Sequence, residues 1–561
     1  MKKLIGLFVV VLLAIGGKCY YQKSKLQAFL DGMREYGYSY KVKSSSLCSM
    51  DVAIYLSEPK KLLSIYPKFL RENKKFMEQM EKEFKEIRIS KDEQLYNINF
   101  PLFSFDIVAK STYKTTNAKL KGEYGKVIRY LSDKKLIKIT TTCSTLTNKC
   151  VSVYDDIDTT YEDLHIVTKG VVANFEFKDK RSMIGDFNIK YLNLKGDSVD
   201  FDLNDLKVDI LYNDTKTFNL KEIFSIGSIG VKDKNSLNAK IKDITFGGAY
   251  FENKNAFFKF KAKEIHIPDN SLDLDIKDID FLLTIDKESG FKFNIESFDF
   301  IGKTGKKLDI KLKGLKSSYT FLDNNIYISK GKTKLDSLYI KNWQNETLLI
   351  KNFALQSKPE IKDDRLKLHE VYSLELLDFK LKKTPFKVAG VKLDLAVKDI
   401  GYSVIKEFYN ELMQVYKKAF IAGFNGDNTA AQDVRRELNM ISMKYAGRLI
   451  EIFKYGIKID LNEFSIKEID YKNKSAKDLE LTAKVELLKI TMQDILSKKY
   501  NQKRLPIKSL KAKAKIPNEL LELNNINESM LPFKFKVDKN HKIIDIDYKD
   551  GVIYLNDTPM R

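Results

Sequence analysis

The octapeptide LDIKLKGL, residues 308–315, repeats in small the pattern that runs through most of this 561-residue chain. Leu308, Ile310 and Leu312 alternate with Asp309, Lys311 and Lys313, so an extended chain turns apolar side chains one way and charged ones the other. One apolar and one charged face predict a strand of an antiparallel sheet. Upstream, Phe291, Phe293 and Ile295 show the same alternation. Phe298 and Phe300 then resume on the opposite parity, which predicts a bend or bulge near Glu296-Ser297. Phe291, Phe293, Ile295, Leu308, Ile310 and Leu312 are the candidate apolar face. Period-two patterning extends from about Asn97 to Ile400, with turns from Asn and Asp, as in Asp323-Asn324-Asn325, in a chain of only 10 prolines.

The quoted stretch ends in Leu312-Lys-Gly-Leu315, which has relatives elsewhere. Leu203-Asn-Asp-Leu206, Ile241-Lys-Asp-Ile244, Ile276-Lys-Asp-Ile279, Ile350-Lys-Asn-Phe353 and Val397-Lys-Asp-Ile400 share its shape. They recur roughly every 35 to 38 residues, with a longer last step, and two or so strands per unit fit that spacing. The expectation is a mainly β chain with some α: an elongated antiparallel β-meander of quasi-repeats.

Helical spacing marks the exceptions. Lys23–Tyr36 reads as a helix continuing from the amino terminus. Leu62, Tyr66, Phe69, Leu70, Phe76, Met77, Met80, Phe84 and Ile87 predict one amphipathic helix near 60–88. Ile405, Phe408, Leu412, Val415, Tyr416 and Ala419 share one helical face, and Ala430–Tyr455 is helical again before Gly456, which predicts an αα-hairpin near 402–455. The resulting organisation is an anchor at 1–21, an N-terminal helix with a repetitive β region at 22–400, a helical hairpin at 401–456 and a β region at 457–561.

The chain begins with Lys2 and Lys3 before an apolar or small run from Leu4 to Gly17. Fourteen helical residues reach ~21 Å, short of a ~30 Å hydrocarbon core, which suits a secretory signal. Counted from Met1 to Tyr21 the helix reaches ~31 Å, with Lys18 snorkelling and Tyr20 and Tyr21 at the interface, which suits a retained anchor. The anchor residues are then Leu4, Phe8, Val10, Leu13 and Ile15. Local residues leave both readings open. The net charge of +22 comes from lysines that alternate with Asp instead of clustering, and no nucleic-acid-binding signature appears, so no nucleic acid is expected. Cys143 and Cys150 flank a short polar loop between two strand-like runs, within disulfide reach if they oppose each other. By loop entropy that link contributes roughly 2.5 kcal/mol, and it favours an oxidising compartment. Cys19 and Cys48 have no evident partners.

Catalytic patterns are missing. Gly302-Lys-Thr304 resembles the end of a phosphate loop, but Ser297 stands where the first glycine belongs. His369-Glu370 lacks a second zinc-ligating histidine, and His165, His266 and His541 are scattered singly. Neither metal nor cofactor is expected, and the chain reads as a non-enzyme.

Four C-terminal stretches carry a resemblance: Val391–Ile400, Gly456–Leu461 with Ala476–Val485, Ile507–Pro517, and Ile546–Asn556. With Tyr20–Asp31 and Tyr38–Leu56 they resemble the YdgA-like family of bacterial inner-membrane proteins, while the repetitive middle is similar in texture to AsmA-like envelope proteins. Asp557 replaces the family's usual final glycine. The resemblance implies a retained single-pass anchor in the bacterial inner membrane, a body in the periplasm, and no assigned catalytic residues. Three functions follow: a protein that binds or passes phospholipid along its apolar face, an envelope scaffold binding a protein partner around a closed core, or an enzyme on an envelope polymer. The third is disfavoured for want of a site.

Overall fold

The computed structural model describes residues 2–58, 61, 93–101, 104, 106–114, 122–179, 182–214, 218–233, 237–251, 256–285, 289–305, 307–323, 325–381, 385–424, 430–471, 474–491, 493–494, 497, 506–523, 534–549 and 551–560. The stretch 62–87, expected to be an amphipathic helix, lies outside them. The chain divides into two compact units, Met1–Ile265 and His266–Arg561, with the boundary inside the strand Ala256–Pro268.

The first unit opens on a single helix, Lys2–Met33, closed by a short 3-10 turn and by Gly37 in the left-handed region (φ 87°). Its sheet is an antiparallel meander. Tyr38–Ser45 pairs with Ser49–Leu56, that strand with Glu93–Asn99, and that with Asp106–Lys114. Lys138–Ser144 and Lys149–Tyr154 follow, then the long strands Leu164–Asp179, Ser182–Lys195, Val199–Asp214, Phe218–Asp233 and Asn238–Phe251, each beside the last. The second unit repeats the arrangement with Leu272–Ile285, Gly290–Gly302, Leu308–Leu322, Asn325–Lys341, Thr347–Ser357, Arg365–Lys380 and Phe386–Gly401. A helical hairpin, Ser403–Phe424 and Ala430–Ala446, interrupts it. Lys458–Tyr471, Lys474–Leu487, Ile507–Pro517 and His541–Lys549 then resume the meander. Alternating sequences make two-faced strands, and turns such as Asp363-Asp364, both left-handed at φ 49° and 60°, return the chain at once.

The repeated tetrapeptide has a conformational cause. Its third residue carries positive φ in all six copies: Asp205 (53°), Asp243 (48°), Asp278 (49°), Gly314 (65°), Asn352 (47°) and Asp399 (64°). Gly, Asn and Asp reach this region with the least strain. In a regular strand Leu203 and Leu206 would point to opposite faces. Here Leu203 and Leu206 both join the cluster of Ile226, Ile241 and Ile244, so the left-handed residue returns the chain to the same face. Pairing register is unchanged on either side of Asp205, so no residue is inserted. Gly170, Gly390 and Asp478 are left-handed as well. Lys190 lies between Gly170 and Asp205, Glu375 between Asn352 and Gly390, and Lys467 between Gly390 and Asp478, so in each unit a crease crosses the strands. Val388-Ala-Gly-Val391 therefore follows Asn352 at the spacing of the earlier steps. Val397–Ile400, which the sequence pattern placed in the series, lies nearer the end of that strand.

The hairpin has its own core of Val404, Val415, Ile441 and Tyr445. Its base rests on Ile328, Leu366, Ile400, Tyr402 and Ile457 at one end of the second unit's strands.

Candidate functional site

Phe291, Phe293 and Ile295 lie on Gly290–Gly302, and Leu308, Ile310 and Leu312 on the adjoining Leu308–Leu322. The two sets flank the crease. Phe291 is opposite Tyr319, Phe293 opposite Ser317 and Ile295 opposite Leu315, whereas Leu312 and Ile310 oppose Phe298 and Phe300. Rings continue the face sideways, with Phe291 stacked on Tyr319 at 5.4 Å and Phe281 edge-on to Phe293 at 6.3 Å. A Cβ on Gly314, already left-handed, would meet the Asp336 side chain, so glycine lets the two strands sit close there without moving it.

All six are half-buried; none is enclosed and none is fully exposed. Among the described residues from Leu272 to Ser357, Ile328 is the only large apolar side chain that is fully buried. In the first unit, by contrast, Leu203, Ile226 and Ile244 are buried among neighbours on adjoining strands. The described helices reach these strands only at their ends, where the Tyr402 hydroxyl donates to Asp323 (3.0 Å) and Lys406 pairs with it (2.6 Å). Among the described residues no second layer covers this face, while its reverse carries pairs such as Lys311–Asp309 (3.6 Å) and Lys303–Asp273 (3.7 Å).

A second feature joins the amino-terminal helix to the first unit. Leu4, Phe8, Val10, Leu13 and Ile15 lie in the backbone of Lys2–Met33, and their side chains are outside the described residues. Among the described residues, no helix is long and apolar enough to cross a membrane. From Lys18 onward the helix docks on the sheet. Cys19, Leu26, Leu30 and Met33 pack on Met50, Val52, Ile98, Phe100 and Ile107. Gln22, fully buried, donates to the Asp106 carbonyl at 2.8 Å, and Lys18 and Lys23 donate to the carbonyls of Pro101 and Ser46. Cys19 is bonded to Cys48 with Cα atoms 5.2 Å apart. That pairing corrects the expectation that these two lack partners. With the two cysteines 29 positions apart no local pattern announces it, and only helix docking brings them together. By loop entropy this link contributes roughly 3.5 kcal/mol. Cys143 and Cys150, opposite each other in their hairpin, form the other disulfide, so no thiol is free.

No group of three metal-ligating side chains occurs among the described residues. His165 pairs with Asp158 at 3.5 Å, and His541 bonds the Lys477 carbonyl. His369 and Asp394 make a pair at 3.0 Å, but Asn462 also donates to that carboxylate at 2.7 Å and, with His369, holds it below its usual range. The described hydrogen bonds bring no nucleophilic hydroxyl to that ring. Gly302 closes a strand and another strand follows, so Gly302-Lys-Thr304 opens no phosphate-binding helix. Burial pushes the Tyr96 hydroxyl up to about 12, that of a structural phenol.

Sequence reasoning missed a polar cluster at the base of the hairpin. The Asp364 carboxylate accepts from the Ser403 amide (2.6 Å) and the Tyr455 hydroxyl (2.9 Å) and pairs with Lys454 (2.5 Å). Burial would raise this carboxyl, but bonds from Lys454, Tyr455 and Ser403 together hold it below its usual value. A strand turn thus caps a helix from outside it.

The model of a family described as "Bacterial protein of unknown function (DUF945)" matches residues 258–528, just under half of the chain. The match takes in this apolar face and the helical hairpin. No curated protein and no solved structure matches.

Proposed function

We propose that the chain is a non-enzymatic bacterial envelope protein, held in the cytoplasmic membrane by its amino-terminal helix, whose body outside that membrane carries phospholipid acyl chains on the open sheet face. The observation that carries this reading is that Phe291, Phe293, Ile295, Leu308, Ile310 and Leu312 are contiguous, only half-buried and without a described covering layer. Apolar surface of that extent favours an apolar occupant. An acyl chain suits a face of two-strand width lined by Phe, Ile and Leu, and the membrane holding the helix supplies it. Two disulfides with no free thiol support an oxidising compartment, and the YdgA-like resemblance at both ends supports the anchored topology.

The test is native mass spectrometry of the full chain in detergent micelles. The expected spectrum carries phospholipid adducts that Phe293→Asp and Ile310→Asp diminish several-fold, with circular dichroism unchanged. A spectrum free of adducts, or adducts indifferent to both substitutions, would favour the second reading, an envelope scaffold that binds a protein partner around a closed core.

A further inference from the structure

The helix that docks through Cys19 and Gln22 fixes which end of the first unit adjoins its apolar amino-terminal run. Leu47 lies between Ser46, whose carbonyl accepts from Lys23, and Cys48, which is bonded to Cys19. Leu146 sits in the turn between Lys138–Ser144 and Lys149–Tyr154. That turn is at the same end, because Ser144 pairs with Asp106 and the Asp106 carbonyl accepts from Gln22. Tyr20 and Tyr21 are next to Cys19. Among the described residues, three of the five most exposed large apolar side chains lie at this end. These five, each at least 65% exposed, are Tyr20 (76%), Leu47 (65%) and Leu146 (66%) at this end, and Met443 (79%) and Val537 (65%) in the second unit.

We infer that this end of the first unit is a membrane-contact edge. Leu47, Leu146 and Tyr20 enter the headgroup boundary of the bilayer that holds the helix, with Lys18 and Lys23 beside them. The inference rests on the anchoring proposed above. Helix and sheet are joined by a disulfide, a buried amide and two lysine–carbonyl bonds with no linker between, so an inserted helix carries the tips to the interface. Tyrosine and leucine tips with adjacent lysines match the chemistry of that zone. The reach of the edge is set by the chain itself, because helical rise puts Gly17 only ~3 Å along the axis from Cys19.

The experiment uses the full chain with Trp343→Phe, which removes the single native tryptophan. Leu146→Trp, Leu47→Trp and, as an equally exposed control, Val537→Trp are reconstituted in phosphatidylethanolamine–phosphatidylglycerol vesicles containing phosphatidylcholine brominated near the glycerol end of its acyl chains. Tips at the acyl boundary, ~5–10 Å deep, lose about half or more of their emission and shift to the blue, while the control keeps its emission. Chains that float with the vesicles and resist alkaline extraction, yet show no quenching at Leu146→Trp or Leu47→Trp beyond the control, overturn the contact edge and leave the anchor standing. Chains that do not float overturn both.

Discussion

Asp243 shows what one left-handed residue contributes in mid-strand. Its φ of 48° keeps Ile241 and Ile244 on one face, and its exposed pairing with Lys263 at 3.9 Å adds little. Conformation is therefore its main contribution. Asp243→Gly should change stability by less than about 1 kcal/mol. Asp243→Val should lose about 1–2 kcal/mol more, because a β-branched side chain is strained at positive φ. Denaturant midpoints of the two variants check this, and equal midpoints would contradict it. The crease was legible at residues where it changes apolar parity, as between Ile295 and Phe298. It was not legible at Gly390, because Val388-Ala-Gly-Val391 has alanine where the other copies carry a polar second residue.

At the scale of elements, the helical hairpin is tied to the sheet by Asp364. Its carboxyl is depressed in the folded chain, so its contribution is present above the unfolded value of ~3.9 and is lost as pH falls through the folded value. Asp364→Asn keeps an acceptor for the Ser403 amide but removes the charge facing Lys454. Its thermal midpoint should lie below that of the unaltered chain at pH 7, by the equivalent of ~1 kcal/mol, with the gap closing below about pH 4. A gap that persists in acid would contradict this account of the latch. Strands and hairpin were readable because period two and period 3.6 are local signals, visible at Leu308–Lys313 and at Ile405–Ala419. Asp364 and the Cys19–Cys48 bond were not, because each joins elements that only the folded chain brings together.

For the molecule as a whole, the proposed function turns on whether the apolar face is covered, and no sequence period encodes that. Alternation assigns Phe293 and Ile310 to one side; whether a second layer covers that side depends on tertiary packing. These residues are only half-buried and leave apolar surface for an occupant, and the first unit is joined to its helix by packing and the Cys19–Cys48 bond, so a helix held in a bilayer, as proposed, keeps that unit beside it. The most direct measurement is photo-crosslinking in living bacteria, with a benzophenone amino acid in place of Phe293 or Ile310 on the apolar face, or of Lys292 or Lys311 on the charged one. The account predicts phospholipid adducts, identified by mass, from the first two positions and none from the second two. Equal labelling of both faces, or adducts to protein alone at Phe293 and Ile310, would contradict it.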